Sequence, residues 1–288
     1  MKRLTRAKTM QRQALTWRLE KRRVVIVPTM GFLHAGHAAL IKRARRIAGK
    51  NGRVVVSIFV NPTQFAPNED LERYPRSENA DFQLCRTLGV DAVFLPPAQD
   101  IYPKECEAPF STFVTEESLS TSMEGRSRPI HFRGVATIVV ILFNLTQASH
   151  AVFGEKDFQQ AAIIIKMAKD LKFPTRIIVA PTVREADGLA KSSRNAYLSL
   201  AQRENATILW RCIEATRTSV NEAETGVSAK RMRQKLERLI NRTPEANLDY
   251  IEFFNPKTLA PVSKIQHSDR IALAIRFGKT RLIDNGLI

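Results

Sequence analysis

Two histidines three residues apart, His34 and His37, stand in Thr29-Met30-Gly31-Phe32-Leu33-His34-Ala35-Gly36-His37, directly after a short apolar run that ends at Pro28. Where a buried strand gives way to a helix, the helix start offers unpaired N–H groups and partial positive charge. Gly31 and Gly36 let a ligand approach the backbone, so phosphate binding is physically natural there. An imidazole adds a donor and can steady the charge that grows on a departing pyrophosphate. Two other readings stand beside this one: the histidines cap the helix, or they bind zinc, for which no third ligand at a recognisable spacing is present.

A second junction, Phe153-Gly154-Glu155-Lys156-Asp157-Phe158-Gln159-Gln160, repeats the order of strand, glycine and helix. Lys156 places a cation where a helix start ordinarily favours an acid, and a phosphate ligand would explain it. Asp157 caps the helix or helps to organise magnesium. Lys191-Ser192-Ser193-Arg194-Asn195 gathers two cations and two hydroxyls that a phosphate would satisfy, although an ordinary surface loop can have the same composition. Phe59-Val60-Asn61-Pro62-Thr63-Gln64-Phe65 presents two neutral amides, suited to hydrogen bonds with hydroxyls and carboxylates.

The elements that must position these groups read as an α/β pattern. Val24–Val27, Val54–Val60, Ala92–Leu95, Ala151–Phe153 and Ile177–Val179 are continuous apolar runs, as expected of parallel strands buried on both faces. Leu40, Ile41, Ala44, Ile47 and Ala48 form the inner stripe of a helix, and Asp157–Leu171 reads as another. After about residue 182 the texture changes to a long polar helix over Ser199–Val220, a second helix over Ser228–Ile240, and strands near Tyr250–Phe254 and Arg270–Ile275. The expectation is therefore a Rossmann-like parallel-sheet domain over 1–182 and a smaller α+β domain over 183–288. A hinge is expected near Pro181–Gly188, with the smaller domain helping to close the site.

Of the 288 residues, 44% are hydrophobic, enough for a sizeable core. Cys85, Cys106 and Cys212 are odd in number and far apart, which argues against a disulfide framework and for a reducing compartment. The longest apolar stretch, Val135–Leu145, is about half of the roughly twenty residues a bilayer requires and reads as core. The 45 Lys and Arg against 28 Asp and Glu give a net charge of +17. An anionic small substrate, nucleic acid or a generally basic surface would each fit this charge. Few aromatic residues alternate with basic ones, so no base-stacking platform is visible. The first two dozen residues hold nine Lys or Arg and one acid, superficially like an organelle transit peptide.

Taken in order, PTMGFLHAGH, VSIFVNPTQF, EDLERYPR, EGRSRPIHFRGV, FGEKDFQQ, DGLAKSSRNAYLS and TRLIDN resemble the pantothenate synthetase family through nearly the whole chain. His34-Ala35-Gly36-His37 and KSSR also resemble the two signatures of the wider HxGH nucleotidyltransferase superfamily. The resemblance implies ATP-dependent condensation of pantoate with β-alanine through pantoyl adenylate, with Mg2+ accompanying ATP. It implies a cytoplasmic homodimer with no membrane or specific nucleic acid partner. Carried onto this chain, Met30, Gly31, Phe32, Leu33, His34, Ala35, Gly36, His37, Gly154, Glu155, Lys156, Asp157, Val183, Lys191, Ser192, Ser193 and Arg194 would meet ATP. His37 would act on the phosphates as proton donor, with His34 and Lys156 as further catalytic groups. Gln64 and Gln160 would hold pantoate, and Gln64 would also reach β-alanine. Which residues would hold the metal is left open. The basic amino-terminal segment matches a helix the family places before its first strand, so the transit-peptide reading is set aside. Ile130 stands where many relatives carry a smaller residue, and Lys191 is charged where some are apolar.

Overall fold

The computed structural model describes residues 1–67, 69–103 and 108–288, so Cys106 lies outside the described residues. The chain divides into two compact units, one formed by 1–155 with 160–181 and the other by 156–159 with 182–288. The short segment Lys156–Gln159 thus belongs with the second unit, although its neighbours on both sides in sequence belong to the first.

The first unit is built on a six-stranded sheet whose paired strands all run parallel. Its elements are β1 (Lys2–Leu4), α1 (Ala7–Leu19), β2 (Val24–Thr29), α2 (Ala35–Ala48), β3 (Arg53–Ile58), α3 (Glu78–Thr87), β4 (Ala92–Phe94), α4 (Ala98–Ile101), α5 (Met123–Ser127), α6 (His131–Thr146), β5 (His150–Gly154), α7 (Phe158–Asp170) and β6 (Arg176–Ala180). The spatial order is β1-β4-β3-β2-β5-β6. Connections from β2 step toward one edge and those from β5 toward the other, which makes the β2–β5 boundary the topological switch point. In open α/β sheets this is where a crevice forms at the strands' carboxyl ends. Helices α1, α6 and α7 cover one face through Met10, Ala14, Trp17, Val139, Leu142 and Ile164, whereas Leu40, Ile41, Ala44 and Cys85 of α2 and α3 cover the other. The apolar stretch Val135–Leu145 lies inside α6, most of whose residues are buried.

β1 carries almost no hydrophobic signal. Its sequence Lys-Arg-Leu holds the sheet edge through backbone register with Ala92–Phe94 of β4, and only Leu4 is buried.

The second unit contains α8 (Leu200–Asn205), α9 (Ile208–Asn221), β7 (Val227–Ser228), α10 (Ala229–Asn241), β8 (Ala246–Phe254), β9 (Lys264–Ile265), β10 (Arg270–Phe277) and β11 (Thr280–Leu287). An antiparallel sheet of order β11-β10-β8 supplies Phe253, Ile271, Leu273 and Phe277 to a core completed by Leu209, Ile213, Met232 and Leu236 from α9 and α10. β7 and β9 form a separate antiparallel pair. The single helix expected over Ser199–Val220 is two. At the break, Thr207 Oγ1 donates to the Glu204 carbonyl at 2.8 Å and Asn205 Nδ2 to the Pro244 carbonyl at 3.3 Å. Such side-chain bonds to the backbone compete with helix continuation.

Candidate active site

β2 and β5 are neighbours, and both glycine-containing junctions leave their carboxyl ends at the switch point. After Thr29 the chain turns through Gly31 and enters α2 with His34 as its N-cap. His34 Nδ1 accepts the Gly36 N–H at 3.1 Å, and His37 Nδ1 accepts the His34 N–H at 3.3 Å. The histidines therefore form a reciprocal capping box, a role more often filled by Ser or Thr with Glu or Gln. Their rings lie 4.1 Å apart between centroids at 44°. A neutral imidazole that accepts at Nδ1 carries its proton at Nε2. The cap thus gives each ring an Nε2–H donor, so capping does not compete with donation to a phosphate from the other side of the ring.

The amide loop after β3 meets the β2 loop directly. Gln64 ends a 3-10 turn over Pro62–Gln64 and is 7% exposed. Its Oε1 accepts from Asn61 Nδ2 at 3.2 Å, and its Nε2 lies 3.1 Å from the sulfur of Met30. Asn61 Nδ2 also donates to the Gly134 carbonyl at 3.0 Å. A Cβ at Gly134 would lie 2.5 Å from the Thr63 carbonyl oxygen, so α6 can approach this turn only with glycine there. Gln160 is in the first turn of α7, shortly after β5.

Behind Gln64 lies a partly buried polar chain that residue spacing did not single out, although EDLERYPR and EGRSRPIHFRGV contain it. Arg128 donates to both Glu69 oxygens, at 2.8 and 2.5 Å. It also donates to the Gln64 carbonyl at 3.2 Å, and its Nη1 lies 3.4 Å from His131 Nε2. His131 Nδ1 is 3.1 Å from the same Gln64 carbonyl, which assigns the ring proton to Nδ1 and lets Nε2 accept from Arg128. Burial opposes the Glu69 charge, but the hydrogen bond and charge of Arg128 outweigh it and hold the carboxyl below its ordinary range. Burial, then the Arg128 charge, push the His131 pKa down to about 4.

Because the unfolded imidazole titrates near 6.5, His131 contributes stability that is complete above that pH and is lost as pH falls toward about 4. Roughly 3 kcal/mol is at stake, from about 1.4 kcal/mol per pKa unit. Urea unfolding of the wild type should show this loss between pH 6.5 and 4. The His131→Gln variant, which keeps a donor and an acceptor without titrating, should have a flatter curve in that window. Parallel curves would exclude His131 as the source.

In the second unit, the Lys156 ammonium lies 3.6 Å from Asp157 Oδ1. The Lys156 carbonyl accepts from Asn285 Nδ2 at 2.8 Å, and Asn285 Oδ1 accepts from Arg270. Arg270 lies over the Phe158 ring at 4.1 Å, and Phe158 packs on Phe254 at 5.8 Å. These contacts explain why Lys156–Gln159 belongs with the second unit. They also show what the TRLIDN segment does: Asn285 holds Lys156, while Asp284 binds Arg184 at 2.6 Å.

The Lys191-Ser192-Ser193-Arg194 loop is bonded both within itself and to the segment over 183–185. Lys191 N–H donates to the Val183 carbonyl at 2.9 Å, and its ammonium pairs with Glu185. Ser192 Oγ caps the following 3-10 turn by accepting the Arg194 N–H, and Ser193 is buried. The Lys191 charge thus has a partner. Ile130 is the 40% exposed N-cap of α6. Among the described residues no group of three or more His, Cys, Asp or Glu could hold a metal ion, and no helix is long and apolar enough to cross a membrane.

A parallel sheet with crossover helices and a histidine-capped helix start at its switch point defines the class, an α/β protein. The family model for pantoate–β-alanine ligase matches residues 2–287, and the chain belongs to that family. A pantothenate synthetase of Herpetosiphon aurantiacus is 45% identical over 263 residues, covering 91% of this chain and 92% of that protein. One from Moorella thermoacetica is 47% identical over 260 residues, covering 90% and 89%. The crystal structure of pantothenate synthetase from Thermus thermophilus matches with a TM-score of 0.90 at 42% identity, covering 100% of this chain and 99% of that one. A Francisella tularensis pantoate–β-alanine ligase, complexed with β,γ-ATP and β-alanine, matches with a TM-score of 0.80 at 35% identity, covering 100% and 97%.

Proposed function

We propose that the chain condenses pantoate with β-alanine in two steps driven by ATP. The pantoate carboxylate attacks the α-phosphorus of ATP, pyrophosphate leaves, and the acyl adenylate stays bound. The neutral amine of β-alanine then attacks the acyl carbon, loses a proton and displaces AMP, giving pantothenate. The observation that carries this reading is the reciprocal histidine cap at the sheet's switch point, in a chain that the family model spans from residue 2 to 287.

In this assignment ATP is met by Met30–His37, Gly154–Asp157, Val183 and Lys191–Arg194. The Nε2–H groups of His34 and His37 face the phosphates, with His37 as proton donor, and Lys156 balances the growing charge. Pantoate is held by Gln64 and Gln160, and β-alanine reaches Gln64. Mg2+ would come as part of the substrate with ATP and would lower the charge of its phosphates. The domain expected over 183–288 would act as the closing element. A reducing cytoplasm suits Cys85 and Cys212, both buried, with thiol pKa values pushed up to about 12 chiefly by burial. A homodimer is part of the proposal and is open to sedimentation analysis.

The test is to mix the purified protein with ATP, Mg2+, pantoate and β-alanine. Pantothenate and AMP should form in equal amounts, with neither product when pantoate is omitted. AMP formation that ignores pantoate, or ADP in its place, would refute the reading.

A further inference from the structure

A carboxylate lies beneath the loop that carries both histidines. Asp81, on α3 and only 3% exposed, accepts the Phe32 N–H at 2.8 Å on one oxygen and the Leu33 N–H at 2.7 Å on the other. The Gly31 N–H is turned inward as well, to Thr29 Oγ1 at 3.2 Å. The backbone here is unusual: φ is +84° at Gly31 and +50° at Phe32, which is not a glycine. Non-glycine residues hold such a conformation only where their surroundings over-determine it. Asp81 supplies that determination. A Cβ at Gly31 would stand 3.1 Å from Asp81 Oδ2 and 2.9 Å from Ile58 Cγ2, so glycine and carboxylate are matched across the contact.

Across a planar trans peptide, N–H and C=O point in opposite directions. With the Phe32 and Leu33 N–H groups on Asp81, the Gly31 and Phe32 carbonyls turn away from it. Over these residues the loop therefore does not offer the row of bare N–H donors that an oxyanion seeks. Phosphate oxygens are left to donors further along, on the imidazoles. Burial raises the Asp81 pKa against the pull of its two N–H bonds, and nearby Glu78 adds to the rise.

We propose that Asp81 is a positioning residue for adenylate formation, acting through Phe32 and Leu33 to set the entry of α2 so that the Nε2–H groups of His34 and His37 meet the phosphates. This rests on the ligase reading. The test is pantoate-dependent exchange of labelled pyrophosphate into ATP by the wild type, Asp81→Asn, His37→Ala and the double variant, with folding followed by thermal melting. The Asn amide would turn a donor toward one of the two N–H groups while keeping the shape. Asp81→Asn should remain folded, lose at least tenfold in kcat for exchange, and shift the pantoate KM by less than about threefold. Because Asp81 acts through the histidine loop, adding Asp81→Asn to His37→Ala should cost less than about threefold more. A folded Asp81→Asn within twofold of wild type would overturn the proposal, as would fully multiplicative losses in the double variant. Should Asp81→Asn not fold, Gly31→Ala presses on the same contact from the loop side. A kcat loss in that variant that is non-multiplicative with His37→Ala supports the proposal, and activity within twofold of wild type overturns it. A wild type without pantoate-dependent exchange refutes the ligase reading itself, a result distinguishable from any behaviour of the variants.

Discussion

His37→Ala is expected to slow formation of the acyl adenylate by about a hundredfold to a thousandfold, the usual cost of losing a preorganised donor to developing charge. The Nε2–H of His37 is oriented before substrate arrives, because Nδ1 is occupied by the His34 N–H. On the proposed assignment that orientation would serve the charge that grows as pyrophosphate leaves. Loss of the ring also removes a helix cap, which costs about 1 kcal/mol of stability. His37→Gln separates the two effects, since Gln at this third helical position can return the cap bond. That variant should regain the melting temperature and remain at least tenfold slow. Recovery of rate together with stability would reduce His37 to a cap. Lys156→Ala should lose rate on the same scale at saturating pantoate, because the missing ammonium acts on charge and not on acid binding. Single-turnover measurement of acyl adenylate over a pantoate titration reads both variants.

Gln64→Ala should fail differently, raising the pantoate KM about tenfold to a hundredfold while the ATP KM moves less than about threefold. The factor follows from one or two hydrogen bonds to a buried carboxylate or hydroxyl, each about 1–2 kcal/mol. Some loss of kcat accompanies it, because a carboxylate held loosely leaves the in-line geometry. Gln160→Ala should follow the same pattern. Should saturating pantoate rescue Lys156→Ala completely while Gln160→Ala alters only ATP affinity, the two roles would have to be exchanged.

Much of this architecture was legible because its signals are local. Continuous apolar runs marked β2 to β6, and the glycine junctions after β2 and β5 marked the sheet edge that matters. What escaped depends on partners distant in sequence. β1 is an edge strand whose pairing is backbone alone, so Lys-Arg-Leu gives no pattern to read. Asp81 is an unremarked acid on an amphipathic helix until the fold sets it under a loop 48 residues earlier. Asn285 gains its role from the Lys156 carbonyl, 129 residues away. His131 and Arg128 are legible as a motif but not as a hydrogen-bonded pair, because burial decides the His131 charge state and spacing does not report burial. The capping role of the two histidines was open in sequence as one of several readings. Its geometry gives the tautomer of both rings.

The most direct measurement is exchange of labelled pyrophosphate into ATP with β-alanine left out. An acyl adenylate formed without the amine is the claim on which the assignments of His37, Lys156 and Gln64 all depend. The account predicts exchange that requires pantoate and Mg2+, saturates with pantoate and proceeds in the complete absence of β-alanine. Exchange that appears only when β-alanine is added would contradict it, because the amine would then have to act before the first bond to phosphorus is made.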